Sequence, residues 1–168
     1  VMMQRSFKKE ISDEKIKKKM TAEFIDFYSK NIDKGSKPLN GVVEFLQWAK
    51  SKNISMAICT NKQERLAIDL LKKINLYDYF DYVAGCNTFE FNKPDPRHLT
   101  HVVEIVGGNL NKTIMVGDSE VDGESAHNAN LPFVLVEGGY TEKTKEEIKH
   151  DILIKDFKNF DTIIKKFL

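Results

Sequence analysis

Thr113-Ile-Met-Val-Gly-Asp-Ser-Glu-Val-Asp122 decides how the rest of the chain is read. Its apolar run, Ile114 to Val116, ends at Gly117, and two acids follow, Asp118 and Asp122, with Ser119 between them. If the run is a buried strand, its carboxyl end delivers both acids into the crevice where open α/β sheets bind ligands. Gly117 permits a close or left-handed backbone path that turns the acids inward. Clustered carboxylates suit a hard cation, and magnesium is usually held by one or two of them together with water and a substrate phosphate. The alternative is a surface turn in which Gly-Asp-Ser breaks a strand and Asp122 caps the next helix.

The 168 residues suit one domain with a sizeable core and a small appendage. With 26 basic and 25 acidic residues the net charge is +1, which gives no sign of nucleic-acid or membrane binding. No apolar run is long enough to span a bilayer and the first residues do not form a signal peptide, so the expected compartment is the cytoplasm. Cys59 and Cys86 form neither a C-x-x-C motif nor a disulfide framework, and both read as small core residues. His98 and His101 share a helix face, but two such ligands do not make a zinc site.

Residues 5 to about 33 read as helical, with lysines alternating with Ile11, Ile16, Met20, Phe24, Ile25 and Phe27 and with Ser12 or Asp13 as a cap between two helices. Asp33-Lys-Gly-Ser-Lys-Pro38 breaks the pattern and marks a hinge between residues 1–37 and 38–168. Beyond it, short apolar runs alternate with helices. Strands are expected at Ser55 to Cys59, Tyr82 to Ala84, Thr113 to Val116 and Phe133 to Val136, with a weak edge strand at Ile152 to Ile154. Helices are expected at Val42 to Lys50, Gln63 to Ile74, Pro96 to Val106, Asp122 to Ala129, Lys143 to Lys149 and Phe157 to Phe167. This alternation implies βαβ units: an α/β fold with a mostly parallel sheet flanked by helices.

Two further strand ends carry chemistry. The first strand gives way to Thr60-Asn61-Lys62, whose hydroxyl and amide can donate to phosphate oxygens, although Thr-Asn is also common turn chemistry. Phe91-Asn-Lys-Pro-Asp-Pro96 holds Lys93 in a stiff loop ahead of a helix, and Pro94 narrows the backbone that aims it. An ammonium held near Asp118 would balance carboxylate charge and clamp a phosphoryl group.

A Thr-Asn after one strand, a Lys-Pro loop before a helix, and Gly-Asp-Ser-x-x-Asp after another strand resemble, in this order, the haloacid-dehalogenase-like (HAD) hydrolase superfamily. Pro38-Leu-Asn-Gly-Val, Ile58-Cys-Thr-Asn-Lys62 and Lys93-Pro-Asp-Pro are most similar to its phosphoglycolate phosphatases. The resemblance implies a Rossmann-like core at 38–168, a remnant of a helical cap at 1–37, and a small phosphorylated metabolite as substrate. It further implies an aspartate nucleophile that forms a phosphoaspartyl enzyme, with magnesium neutralising phosphoryl charge. By position Asp118 would coordinate magnesium and Asp122 would support the metal or its waters. Thr60, with Asn61, would bind the phosphoryl group, and Lys93 would stabilise nucleophile and phosphate.

The family's first motif, an apolar strand ending in Asp-x-Asp, has no counterpart. Glu10, Asp13, Glu14, Glu23, Asp26, Asp33 and Glu44 are the acids before Thr60, and none ends an apolar strand or begins an Asp-x-Asp. Neither nucleophile nor acid/base partner is therefore assigned, and no phosphatase activity is expected of the chain alone. By the resemblance the lost strand lies between those ending at Thr60 and Asp118. Its four or five buried side chains would contribute roughly 6 to 15 kcal/mol at about 1.5 to 3 each, comparable to a domain's net stability of about 5 to 15 kcal/mol. The chain is expected to borrow that strand from another polypeptide, such as a complementing N-terminal segment or a second copy of itself, to close the gap, or to be marginal in solution. Closing it would move Thr60 and Asp118 together by ~4.8 Å. A binding remnant without chemistry and half of a split enzyme are the alternative readings.

Overall fold

Four consecutive apolar residues, Phe133 to Val136, call for cover on both faces, and the computed structural model of the chain supplies it. The structure describes residues 14–31, 35–139, 141 and 143–167, and the chain divides into two compact units, Val1–Ser36 and Lys37–Leu168. In the first unit the described structure is one helix, α1 (Glu14–Lys30). Ile16 and Phe27 on it are 48% and 67% exposed. The expected helical start near residue 5 and the Ser12 or Asp13 cap lie outside the described residues.

The second unit runs α2 (Val42–Ser51), β1 (Ala57–Cys59), α3 (Glu64–Lys73), β2 (Tyr82–Ala84), α4 (Arg97–Ile105), β3 (Met115–Gly117), α5 (Glu120–Asn128), β4 (Phe133–Val136), β5 (Ile152–Ile154) and α6 (Phe160–Ile164). Strands follow β-branched and apolar runs, while α3 and α4 carry their apolar residues at helical spacing and bury Leu66, Ala67 and Leu71, and Leu99, Val102 and Val103. No helix among the described residues is long and apolar enough to cross a membrane.

The strands form two separate parallel sheets, β1-β2 and β3-β4-β5. Ile58 pairs with Val83, Val116 with Val134, and Leu135 with Leu153. Among the described residues no ladder joins β1 to β3. Burial follows from this. All four residues of β4, which has a neighbour on each side, are buried, whereas every residue of β1 and β3 is only half-buried.

Helical layers tie the two sheets together. On one face Leu99, Ala126, Leu131, Phe133, Leu135 and Ile148 form a cluster against which both Cys59 of β1 and Met115 of β3 pack. On the other, Val134, Val136, Ile154, Phe160 and Ile164 pack with Val116 and Phe45, and Phe45 also joins the cluster under β1 and β2. Alternate residues of β4 thus face opposite layers, as the two-residue period of a strand requires.

Several boundaries differ from the sequence expectation. The strand expected at Ser55 to Cys59 is confined to Ala57–Cys59. The helix expected to start at Asp122 starts at Glu120, since Ser119, extended at φ −138°, supplies the N-cap. Residues 143–149 form a turn rather than a helix. The Thr144 N–H donates to Glu147 Oε2 at 2.8 Å and the Glu147 N–H to the Thr144 carbonyl at 3.0 Å, which closes one turn, and Ile148 alone anchors the segment in the core. The last helix begins at Phe160 rather than Phe157 because Asn159 is left-handed (φ 57°), and Phe157 packs instead on Phe45 and Phe160.

Candidate active site

Each acid, hydroxyl and ammonium singled out from the sequence leaves a strand or enters a helix at the same end of the second unit. β1 continues into Thr60, whose N–H donates to the Ala84 carbonyl at 2.9 Å and so prolongs the β1-β2 pairing. The Thr60 hydroxyl oxygen accepts from the Lys62 N–H at 3.1 Å, a local turn of the kind Ser and Thr favour. That arrangement leaves the hydroxyl proton free to point outward. Asn61 Nδ2 donates to the Lys93 carbonyl at 2.9 Å, joining the loop after β1 to the Lys-Pro loop.

The Lys-Pro loop is fixed along its length. The Asp95 N–H donates to the Asn92 carbonyl at 2.9 Å, and Arg97 forks onto Asp95 at 2.7 to 3.2 Å. Hydrogen bonds from Arg97 hold the Asp95 carboxyl at a pKa of about 2. The Arg97 guanidinium lies 4.6 Å from the centre of the Phe91 ring. His98 is buried and His101 exposed, each 5.7 Å from the Phe89 ring centre.

Lys93, held in this way, is 8% exposed, and its ammonium pairs with Oδ1 of Asp122, itself 5% exposed. The other Asp122 oxygen accepts from the Asp118 N–H at 3.1 Å, the Ser119 N–H at 3.1 Å and the Ser119 hydroxyl at 2.7 Å. Asp122 therefore caps the first turn of α5, as the surface-turn alternative foresaw, and also reaches across to the loop that follows β2. Burial opposes its ionisation, but Lys93 and the donors from Ser119 and Asp118 outweigh that and hold its carboxyl below the usual range.

Asp118 differs from its neighbour. Burial, and then the Asp122 charge, push its carboxyl above the usual range, with Lys93 offsetting part of the effect. Among the described residues no ion pair neutralises it. The carboxylate with oxygens to spare is thus Asp118, which borders a cavity of about 370 Å³ also lined by Glu137, Gly139, Thr141, Lys143 and Lys145. Among the described residues no three His, Cys, Asp or Glu side chains gather in a metal-binding group. Oxygen-only donors, one of them uncommitted, suit a cation that keeps its waters and shares a phosphate, which is magnesium chemistry.

Burial pushes the Cys59 thiol up to about 11, Lys93 opposes this and Asp122 adds to it. A residue at the end of β1 thus senses Lys93 and Asp122, while Gly117 at the end of β3 lies against Asp122 itself, where a Cβ would stand 2.4 Å from the Asp122 Cβ. The carboxyl end of β3 thus lies directly against the Asp122 carboxylate. Of the expected residues, Lys93 and Asp118 both meet Asp122, Asn61 bonds to the Lys93 backbone, and the Thr60 hydroxyl bonds within its own turn rather than to these three. Sequence reasoning missed Gly139, which packs on Asp118; its one signal was a Gly-Gly pair one residue beyond a strand.

Residues 2–136 match the haloacid dehalogenase-like hydrolase family. Phosphoglycolate phosphatases of Mesorhizobium japonicum and Agrobacterium fabrum are 39% and 40% identical over 134 residues, covering 80% of this chain and 59% and 58% of theirs. The chain thus spans less than two thirds of the length of these relatives. A Haemophilus somnus protein described as a predicted phosphoglycolate phosphatase superposes with a TM-score of 0.86 at 25% identity, over 92% of this chain and 69% of that one. The β-phosphoglucomutase of Clostridium difficile, at 24% identity and a TM-score of 0.77 over 92% of this chain and 68% of its own, shares the fold. Sequence match and fold together place the chain in the haloacid dehalogenase-like hydrolase family.

Proposed function

We propose that residues 38–168 are the core of a magnesium-dependent phosphatase for a small phosphate monoester such as 2-phosphoglycolate. In this reading the core acts in the cytoplasm, and residues 1–37 are the remnant of a helical cap. The observation that carries the proposal is the buried Lys93–Asp122 pair at the carboxyl end of β3, beside Asp118, which no ion pair neutralises among the described residues. The 39–40% identity to phosphoglycolate phosphatases supports the substrate class.

The roles follow from which atoms are uncommitted. The Thr60 hydroxyl, accepting from Lys62, turns its own proton to a phosphoryl oxygen, and the second Asn61 N–H assists it. Lys93 spends one donor on Asp122 and has two left for phosphate and for an attacking carboxylate. Asp118 is the ligand for magnesium; Asp122, with both oxygens engaged, orients Lys93 and the 118–119 turn. Magnesium, when bound, supplies positive charge to the phosphoryl oxygens.

The attacking carboxylate arrives with a strand that fills the gap between β1 and β3, parallel to both, so that its end reaches Lys93. That carboxylate displaces the alcohol from phosphorus, and water then cleaves the phosphoaspartate, releasing inorganic phosphate and restoring the acid. The half-buried residues of β1 and β3 are the surface such a strand covers.

Phosphate release from 2-phosphoglycolate with magnesium tests the reading, using the chain alone and the chain co-expressed with a designed apolar strand ending in Asp-x-Asp. The chain alone is expected to be inactive and the complemented chain active, with activity lost in Asp118→Ala. Turnover by the chain alone that Asp118→Ala abolishes would overturn the missing-nucleophile part. Magnesium binding with no turnover after complementation would make this a phosphate-binding remnant instead.

A further inference from the structure

Gly138 and Gly139 follow β4 after Glu137, and the structure needs each for a different reason. Gly138 has φ +89° and open space where a Cβ would stand, so its requirement is conformational, and Asn, which tolerates left-handed backbone, satisfies it. Gly139 is not left-handed. A Cβ there would lie 2.2 Å from the Asp118 carbonyl oxygen, 2.5 Å from its Cβ and 2.6 Å from its Cγ. Carbon atoms pack at about 3.5 to 4.0 Å, so even one methyl group has no room.

The atoms in the way are not the far end of a flexible side chain. Two of the three, the carbonyl oxygen and Cβ, are fixed by the main chain of Asp118, and Gly117 just before it is held in register with Leu135 of β4. From its other side Asp118 is held by Asp122, which accepts its N–H. Its carboxylate is therefore aimed by two contacts, one from within its own turn and one from the bare backbone of the neighbouring loop, which also lines the cavity beside it.

We infer that Gly139 is a positioning residue for Asp118: the loop after β4, by carrying no side chain at this point, sets the direction in which the Asp118 carboxylate leaves β3. The inference rests on the reading of Asp118 as the magnesium ligand. Supporting groups of this kind alter metal affinity by roughly 10- to 100-fold when changed.

The test compares the wild-type chain, Gly138→Asn and Gly139→Ala by calorimetric titration with magnesium chloride. Wild type and Gly138→Asn are expected to bind alike, and Gly139→Ala at least about 10-fold more weakly. Equal affinity for all three would overturn the inference. A second measurement needs no metal and serves also if Gly139→Ala is poorly folded: its stability loss is measured in wild type and in the Asp118→Gly background. A smaller loss when Asp118 has no side chain supports the contact, and an equal loss overturns it. If wild type binds no magnesium, the functional reading fails, and the stability comparison alone decides whether Gly139 positions Asp118.

Discussion

Lys93 and Asp122 are each almost wholly out of water, and a buried charge deprived of its partner is among the costliest defects a protein can carry. Lys93→Met is accordingly expected to lower unfolding stability by about 3 to 5 kcal/mol, and adding Asp122→Asn should restore much of the loss, because the amide oxygen still accepts from Ser119 and no charge is stranded. Urea denaturation of the two single variants and the double variant measures this; a Lys93→Met cost below about 1 kcal/mol would mean that the pair is solvated. Lys93 was legible in the sequence because the prolines around it mark a stiff loop. Its partner was not, since 29 residues separate Lys93 from Asp122 and only the fold brings them together. Gly139 was equally silent, because the atoms it makes room for belong to another loop.

At the scale of elements, β1 and β3 are each bonded on one side only among the described residues, whereas β4 is bonded on both sides. Local opening is easiest where backbone hydrogen bonds are exposed and few apolar contacts are lost. In native-state hydrogen exchange, the amides of β1 and β3 are expected to exchange through low-energy local openings, while those of β4 approach the global unfolding limit. Equal protection in all three would show the gap to be closed. Strands bounded by turn residues were read well: Tyr82–Ala84 and Phe133–Val136 fall where the apolar runs put them. Residues 143–149 were misread because lysine and glutamate favour helix on propensity alone, while burial of Ile148 decided the geometry. The last helix lost its first turn for a related reason, Phe157 being worth more to the aromatic cluster with Phe45 than to a helix.

Over the whole molecule, two half-sheets are held in one unit by helices on both faces and by the Lys93–Asp122 pair at their ends. The α/β class was readable from alternating strands and helices. The division of the strands into two sheets was not readable from any residue, because pairing depends on contacts between segments distant in sequence. The central claim is that Thr60, Lys93 and Asp118 serve one magnesium-and-phosphate pocket. Its most direct test is amide NMR of the chain titrated with magnesium and orthovanadate together. The account predicts that the Thr60, Asn61, Lys93, Asp118 and Ser119 signals move with a single saturation constant, and that Asp118→Asn abolishes the response at all of them. Shifts confined to one loop, or Thr60 and Asp118 saturating at different concentrations, would contradict it.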